Sequence, residues 1–96
     1  MQSGLMDISI AYCAPCGYAP RVISLTQEII GTRDLEAYIR SWTLTPSSGG
    51  VFEVTINGEL VFSKKALGRH AEDGEIKTII TQKLESLRAG ADLINP

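Results

Sequence analysis

Cysteine is scarce in this chain, with Cys13 and Cys16 alone among 96 residues, and histidine is scarcer still, with only His70. A zinc site draws on about four ligands, so two cysteines and one histidine do not complete one within a single chain, and only ligands shared between two copies would. The lysines and arginines are scattered and the net charge is −2, which leaves no basic patch of the kind nucleic acid requires. No apolar run approaches the roughly 18 residues of a membrane span, and Met1 to Leu5 is too short and too polar for a secretory leader. The expectation is a cytoplasmic protein with neither a membrane nor a nucleic-acid partner. In a reducing cytosol a cysteine pair is more often catalytic, redox-sensing or metal-bound than a permanent bridge. Repeats and low-complexity tracts are also lacking. With 44% hydrophobic residues the chain suits one domain over residues 1–96, its core at about 7–87 and a patternless, flexible tail at about 89–96.

What is present centres on Cys13-Ala14-Pro15-Cys16. Upstream, Ile8, Ile10 and Tyr12 alternate with Asp7, Ser9 and Ala11, the period of a strand. Downstream, Tyr18, Val22, Leu25 and Ile29 recur at helical spacing, with Ile23 and Ile30 widening the stripe and Gly31 standing where a helix end favours positive φ. A C-x-x-C between strand and helix reads as a thioredoxin-like redox motif. Thr32 to Glu36 is polar and reads as a connection. Tyr38, Arg40, Trp42 and Leu44 then share one strand parity, and Pro46 to Gly50 forms a turn. Val51 to Ile56, Asn57-Gly58 and Glu59 to Ser63 predict a hairpin on a type I′ turn. A two-residue loop pairs Ile56 with Glu59, Val54 with Val61 and Phe52 with Ser63, which puts Thr55, Leu60, Glu53 and Phe62 on the opposite face. Lys64 to His70 is polar. Ile76, Ile79, Ile80, Leu84 and Leu87 predict a second helix, capped by Asp73.

The order β-α-β-β-β-α follows, with a right-handed crossover making the first two strands parallel and the hairpin adding antiparallel partners. The fold class is α/β, an α+β sandwich: a thioredoxin-like plan without its intervening helix, with a four-stranded mixed sheet and two helices on one face. If the third strand lies beside the first, the Ser47 to Gly50 loop borders the thiols. The other sheet face, with Thr55, Leu60 and Phe62, is then open to a protein partner.

Tyr12-Cys13-Ala14-Pro15-Cys16-Gly17-Tyr18 resembles the YCxxUGY signature of selenoprotein W, of the thioredoxin-like Rdx group that also holds selenoproteins T and H. Gly50-Val51-Phe52-Glu53-Val54, Gly58, Leu60 and Ser63-Lys64-Lys65 are similar to that family's GxFEV hairpin ending in SKK. The resemblance covers Asp7 to Leu87. It implies a cytosolic thiol oxidoreductase with glutathione as reductant, no bound cofactor, and protein partners such as the 14-3-3 proteins. Two departures stand out: Cys16 occupies the position where relatives often carry selenocysteine, which implies slower chemistry, and Arg69-His70-Ala71 lacks the G-x-F-P pattern of many bacterial relatives.

Thiol–disulfide exchange needs a thiolate, and a helix N-terminus favours one through its free N–H groups and dipole. Two intervening residues let the second sulfur resolve a mixed disulfide formed by the first, and Pro15 stiffens the turn. Cys13 and Cys16 are accordingly the candidate catalytic residues, against the alternatives of a surface pair, a structural disulfide or half a metal site. Strand-end position and the thioredoxin precedent make Cys13 the more exposed attacker, with Cys16 inside the first helical turn. The selenocysteine position in the resembled family points instead to Cys16. His70 reads as an ordinary exposed histidine, Arg21 and Glu53 as solvent-facing, Lys64 and Lys65 as a solvated strand edge, and Tyr38 and Trp42 as core. The expected activity is reduction of protein or low-molecular-weight disulfides in cell redox homeostasis. The alternative is a redox-sensing interaction module that turns over no substrate.

Overall fold

The computed structural model describes the backbone of residues 5–94 and the side chains of residues 5–89; most of the segment read above for a leader lies outside them. Eight elements follow in order: β1 (Met6–Cys13), α1 (Ala19–Ile30), α2 (Arg33–Glu36), β2 (Ile39–Ser47), β3 (Phe52–Ile56), β4 (Glu59–Ser63), α3 (Lys64–Leu67) and α4 (Glu75–Ile94). The sheet runs β2-β1-β3-β4. β1 is parallel to β2 and antiparallel to β3, and β3 is antiparallel to β4. The expected element order stands, with two additions. The polar connection after α1 contains the single turn α2, which buries Leu35, and the basic stretch after β4 begins as α3, where Ser63 Oγ accepts the Ala66 N–H at 3.2 Å. Lys64 and Lys65 therefore open a helix and do not line a strand edge.

Period-two alternation places Met6, Ile8 and Ile10 of β1 on one face with Phe52, Val54 and Ile56 of β3, all at most 1% exposed. Val22 and Ile29 of α1 and Ile76, Ile80 and Leu84 of α4 complete the same cluster, so both long helices pack on that face. Ile23, counted above in the α1 stripe, is 53% exposed; the narrower stripe of Val22, Leu25 and Ile29 is what meets the sheet. Gly31 ends α1 at φ −73°, still right-handed, its N–H donating to the Gln27 carbonyl at 2.9 Å. No positive φ is needed there. α4 reaches Ile94, through much of the stretch in which the sequence shows no pattern. No helix among the described residues is long and apolar enough to cross a membrane.

Two bulges reset the strand parities. Met6 pairs with Ile39 but Asp7 with Ser41, so Arg40 is the extra residue. It turns outward onto the Asp7 carboxylate, and Ile39, Trp42 and Leu44 all pack towards the core. In the hairpin, Asn57 and Gly58 take φ values of 53° and 83°, as a type I′ turn demands. Ile56 pairs with Glu59 and Thr55 with Leu60, but Val54 then pairs with Phe62, leaving Val61 as the extra residue. The regular ladder expected from the turn would have put Phe62 on the open face. Burying a phenylalanine contributes about 2 kcal/mol, enough to offset a local break in the ladder. Phe62 is 3% exposed and meets Phe52 edge to face at 5.8 Å, whereas Leu60 stays 53% exposed.

Candidate functional site

β1 delivers Cys13 to the end of the sheet, where two neighbours hold it. The Cys13 N–H donates to the Val51 carbonyl at 2.8 Å and the Ala14 N–H to the Ser47 carbonyl at 2.9 Å. The Ser47 to Gly50 loop thus borders the cysteines, as the strand order requires. Gly50 has φ 74°, and a Cβ there would meet nothing within 4 Å, so this glycine serves the backbone turn and not a close approach to sulfur.

The chain then makes a tight reversal. Gly17 donates to the Ala14 carbonyl at 3.1 Å and takes φ 79°, and the Tyr18 N–H points back to the Cys13 carbonyl at 3.4 Å. α1 begins only at Ala19, with Pro20 in its first turn, where a missing N–H costs least. Cys16 therefore lies in the turn ahead of the helix, not inside its first turn. The Cα atoms of Cys13 and Cys16 are 5.3 Å apart and their sulfurs are joined as a disulfide. Exposure divides the pair: Cys13 is 1% exposed and Cys16 is exposed. This reverses the expectation that the sulfur nearer the strand end is the more accessible: Cys13 is the last residue of β1, inside the sheet's hydrogen bonding, whereas Cys16 lies in a turn whose residues are all exposed.

His70 also departs from the sequence expectation. It is half-buried, not exposed, its ring 4.7 Å from that of Tyr18 in an edge-on contact and 6.3 Å from that of Phe52. Its Nδ1 is buried without a hydrogen-bond partner. Burial, then the charges of Arg21 and Lys64, push its pKa down from 6.5, so the ring is neutral at neutral pH. The loop that brings it there is clamped by a bidentate ion pair from Arg69 to Glu75, at 2.8 and 2.9 Å. Glu75 also accepts the Glu72 N–H at 2.9 Å, closing the start of α4 in the manner of a capping box. That arrangement replaces the Asp73 cap expected above; among the described residues Asp73 makes no side-chain hydrogen bond. The spacing Glu72-x-x-Glu75 was the available signal, and the long-range Tyr18–His70 contact had none.

Arg21 and Glu28 are exposed on α1, and with Phe52, Glu72, Asp73 and Ile76 they line a groove of about 400 Å³ between α1 and the start of α4. Lys64 Nζ stands 5.9 Å from the centroid of Tyr18. Glu53, on the opposite sheet face, is half-buried and accepts from Ser63 Oγ at 3.1 Å. Trp42 and Tyr38 pack against the core. No cluster of three or more histidine, cysteine, aspartate or glutamate residues among those described is placed to hold a metal ion.

A disulfide between one accessible and one buried cysteine, at the junction of a strand and a helix, can in chemical terms accept two electrons and open to two thiols. The chain is 31% identical to a selenoprotein W-related protein of Vibrio cholerae, over 80% of this chain and 94% of that one, with a TM-score of 0.70. It is 25% identical to a Bordetella parapertussis protein, over 84% and 95% of the two chains, with a TM-score of 0.66. No curated protein matches it. The Rdx family model matches residues 7–82, a span that takes in the cysteine turn, the hairpin and the start of α4. With this sheet order, this C-x-x-C and that match, the chain belongs to the Rdx family and has its thioredoxin-like fold.

Proposed function

We propose that this protein is a thiol–disulfide oxidoreductase in which Cys16 attacks and Cys13 resolves. The observation that carries the reading is the division of exposure between two bonded cysteines. An accessible sulfur can meet a substrate and ionise in contact with water, whereas burial of a thiol raises its pKa and disfavours the thiolate. In the reduced protein, the Cys16 thiolate attacks a substrate disulfide, one substrate thiolate leaves, and a mixed disulfide forms on Cys16. Cys13 then gives up its proton and attacks the Cys16 sulfur. The second substrate thiolate leaves as the Cys13–Cys16 bond closes, and two electrons have passed to the substrate. Two equivalents of a thiol, with glutathione as the reductant we favour, reopen the bond and are themselves oxidised to a disulfide.

Trapping tests this directly. Cys13→Ser should accumulate a mixed disulfide with glutathione on Cys16, visible as an added mass on that peptide, because the resolving sulfur is gone. Cys16→Ser should accumulate much less. Equal and slow labelling of both variants, with no turnover by the native protein, would contradict the assignment.

A further inference from the structure

The two outer strands of the sheet are protected unequally. β4 is five residues long, is bulged at Val61, holds Glu59 in an ion pair with Lys83 and runs directly into α3. Short length, a bulge and charge keep a sheet edge from pairing with another chain. β2 is the other edge and, at nine residues, the longest strand. Its protection lies only at its ends: the bulge and charge of Arg40 at one, and Pro46, which has no N–H to offer, at the other. Between them Ser41-Trp42-Thr43-Leu44-Thr45 is uncharged and pairs with β1 in unbroken register. Among the described residues the backbone of this stretch bonds to β1 alone, so its outer side presents a row of unpaired N–H and C=O groups.

Another strand satisfies such a row, and the stretch is complementary to itself. Laid antiparallel on a second copy and centred on Thr43, it sets Thr43 opposite Thr43, Trp42 opposite Leu44 and Ser41 opposite Thr45. Residues directly opposite share a face. The Trp42–Leu44 pairs therefore fall on the helix-covered side, where both side chains pack on the core yet stay partly exposed, and the hydroxyls meet on the open side, where Ser41, Thr43 and Thr45 are exposed. Arg40 falls opposite Pro46, which keeps the two like charges apart, and each guanidinium is already held by Asp7. A net charge of −2 per chain sets little repulsion against the pairing. We propose that the Ser41–Thr45 edge of β2 is a homodimer interface, which joins the sheets of two copies about a two-fold axis at Thr43. A two-fold contact uses the same patch on both copies, and the edges left over are both the protected β4, so assembly closes at two. Because β1 runs parallel to β2, each cysteine turn lies at the Ser47 end of its own β2, and the two turns sit at opposite ends of the shared ladder. The interface does not depend on the oxidoreductase reading.

Sedimentation velocity of the full-length protein, under reducing conditions so that no disulfide links two copies, is the test. A single strand pair is a small interface, so association should be reversible, with a dissociation constant of about 10–100 µM. Thr43→Lys sets two ammonium groups opposite each other at the axis and should weaken association about tenfold, and Thr43→Glu should do the same with two carboxylates. An equimolar mixture of the two variants sets opposite charges across the axis and should associate at least as well as the native chain, which also shows that neither variant failed by misfolding. Thr55→Lys, on the open sheet face and away from the edge, should leave association unchanged. A native chain that stays monomeric up to about 1 mM overturns the interface. So does a dimer that survives Thr43→Lys, a mixture that fails to recover, loss of association on Thr55→Lys alone, or growth past the dimer.

Discussion

Tyr18 and His70 meet edge to face with ring centroids 4.7 Å apart, joining the turn that carries the cysteines to the loop ahead of α4. Burial, then the charges of Arg21 and Lys64, lower the pKa of the imidazole. Its proton resonances should therefore titrate below 6.5, and either Arg21→Gln or Lys64→Gln should move the midpoint upward. In linkage terms, the unfolded chain binds a proton more readily than the folded one. This contribution to stability is present in full above the unfolded value and is lost as the pH falls through the folded value. An NMR titration of the single histidine checks the direction, and a midpoint at or above 6.5 in the native protein would contradict the placement.

Gly50 offers a contrast between two causes of intolerance. Its φ of 74° is unfavourable for a side chain, yet a Cβ there meets nothing within 4 Å. Gly50→Ala should cost about 1–2 kcal/mol in urea unfolding, the cost of a left-handed conformation. Gly50→Asn should cost less, since asparagine tolerates that region. Thiol reactivity should change little in either variant, provided the Cys13–Val51 hydrogen bond is kept.

Trp42 gives a probe of the α1–sheet contact. Its Nε1 donates to Thr26 Oγ1 at 3.0 Å, and that hydroxyl donates to the Val22 carbonyl at 2.8 Å. Thr26→Val removes the acceptor and should lower stability by about 1 kcal/mol, as loss of one part-buried hydrogen bond does. Chemical denaturation followed by the fluorescence of this single tryptophan measures it.

Acid should loosen two clamps. Hydrogen bonds from Arg40, then Ser41, lower the Asp7 carboxyl from 3.8 to about 2, and those from Arg69, then the Glu72 N–H, lower Glu75 from 4.5 to about 2. Both carboxyls bind protons less readily folded than unfolded. Their contribution is full above the unfolded values and lost as the pH falls through the folded ones, so stability should decline between 4.5 and about 2. Asp7→Asn and Glu75→Gln should flatten that decline, and high salt should shrink it because both clamps are exposed to solvent. An unchanged slope in both variants would show that other carboxyls dominate.

Much of this architecture can be read from local pattern. Alternation over Ile8, Ile10 and Tyr12, the helical spacing from Val22 to Ile29, and Asn57-Gly58 each state an element through the period or the turn chemistry that makes it. The sheet order follows from crossover handedness. The sheet parities and the placement of His70 escape local pattern for one reason, a long-range preference overriding a local one. Phe62 enters the core by breaking the ladder at Val61, and Arg40 turns outward because Asp7 stands across from it. His70 has no periodic neighbour to announce its contact with Tyr18, which depends on how the Arg69–Glu75 clamp bends a loop. At the site, the cysteines were legible from spacing. Which of them is exposed was not, because that depends on β1 running through Cys13 and α1 starting only at Ala19, which leaves Cys16 in an exposed turn.

Limiting alkylation identifies the attacking sulfur most directly. The reduced protein is treated near neutral pH with less than one equivalent of iodoacetamide, an uncharged reagent, and the label is located by peptide mass. Label should appear on Cys16 well ahead of Cys13, since Cys16 is exposed and Cys13 is 1% exposed. Preferential labelling of Cys13 in the folded, reduced protein would contradict Cys16 as the attacking sulfur.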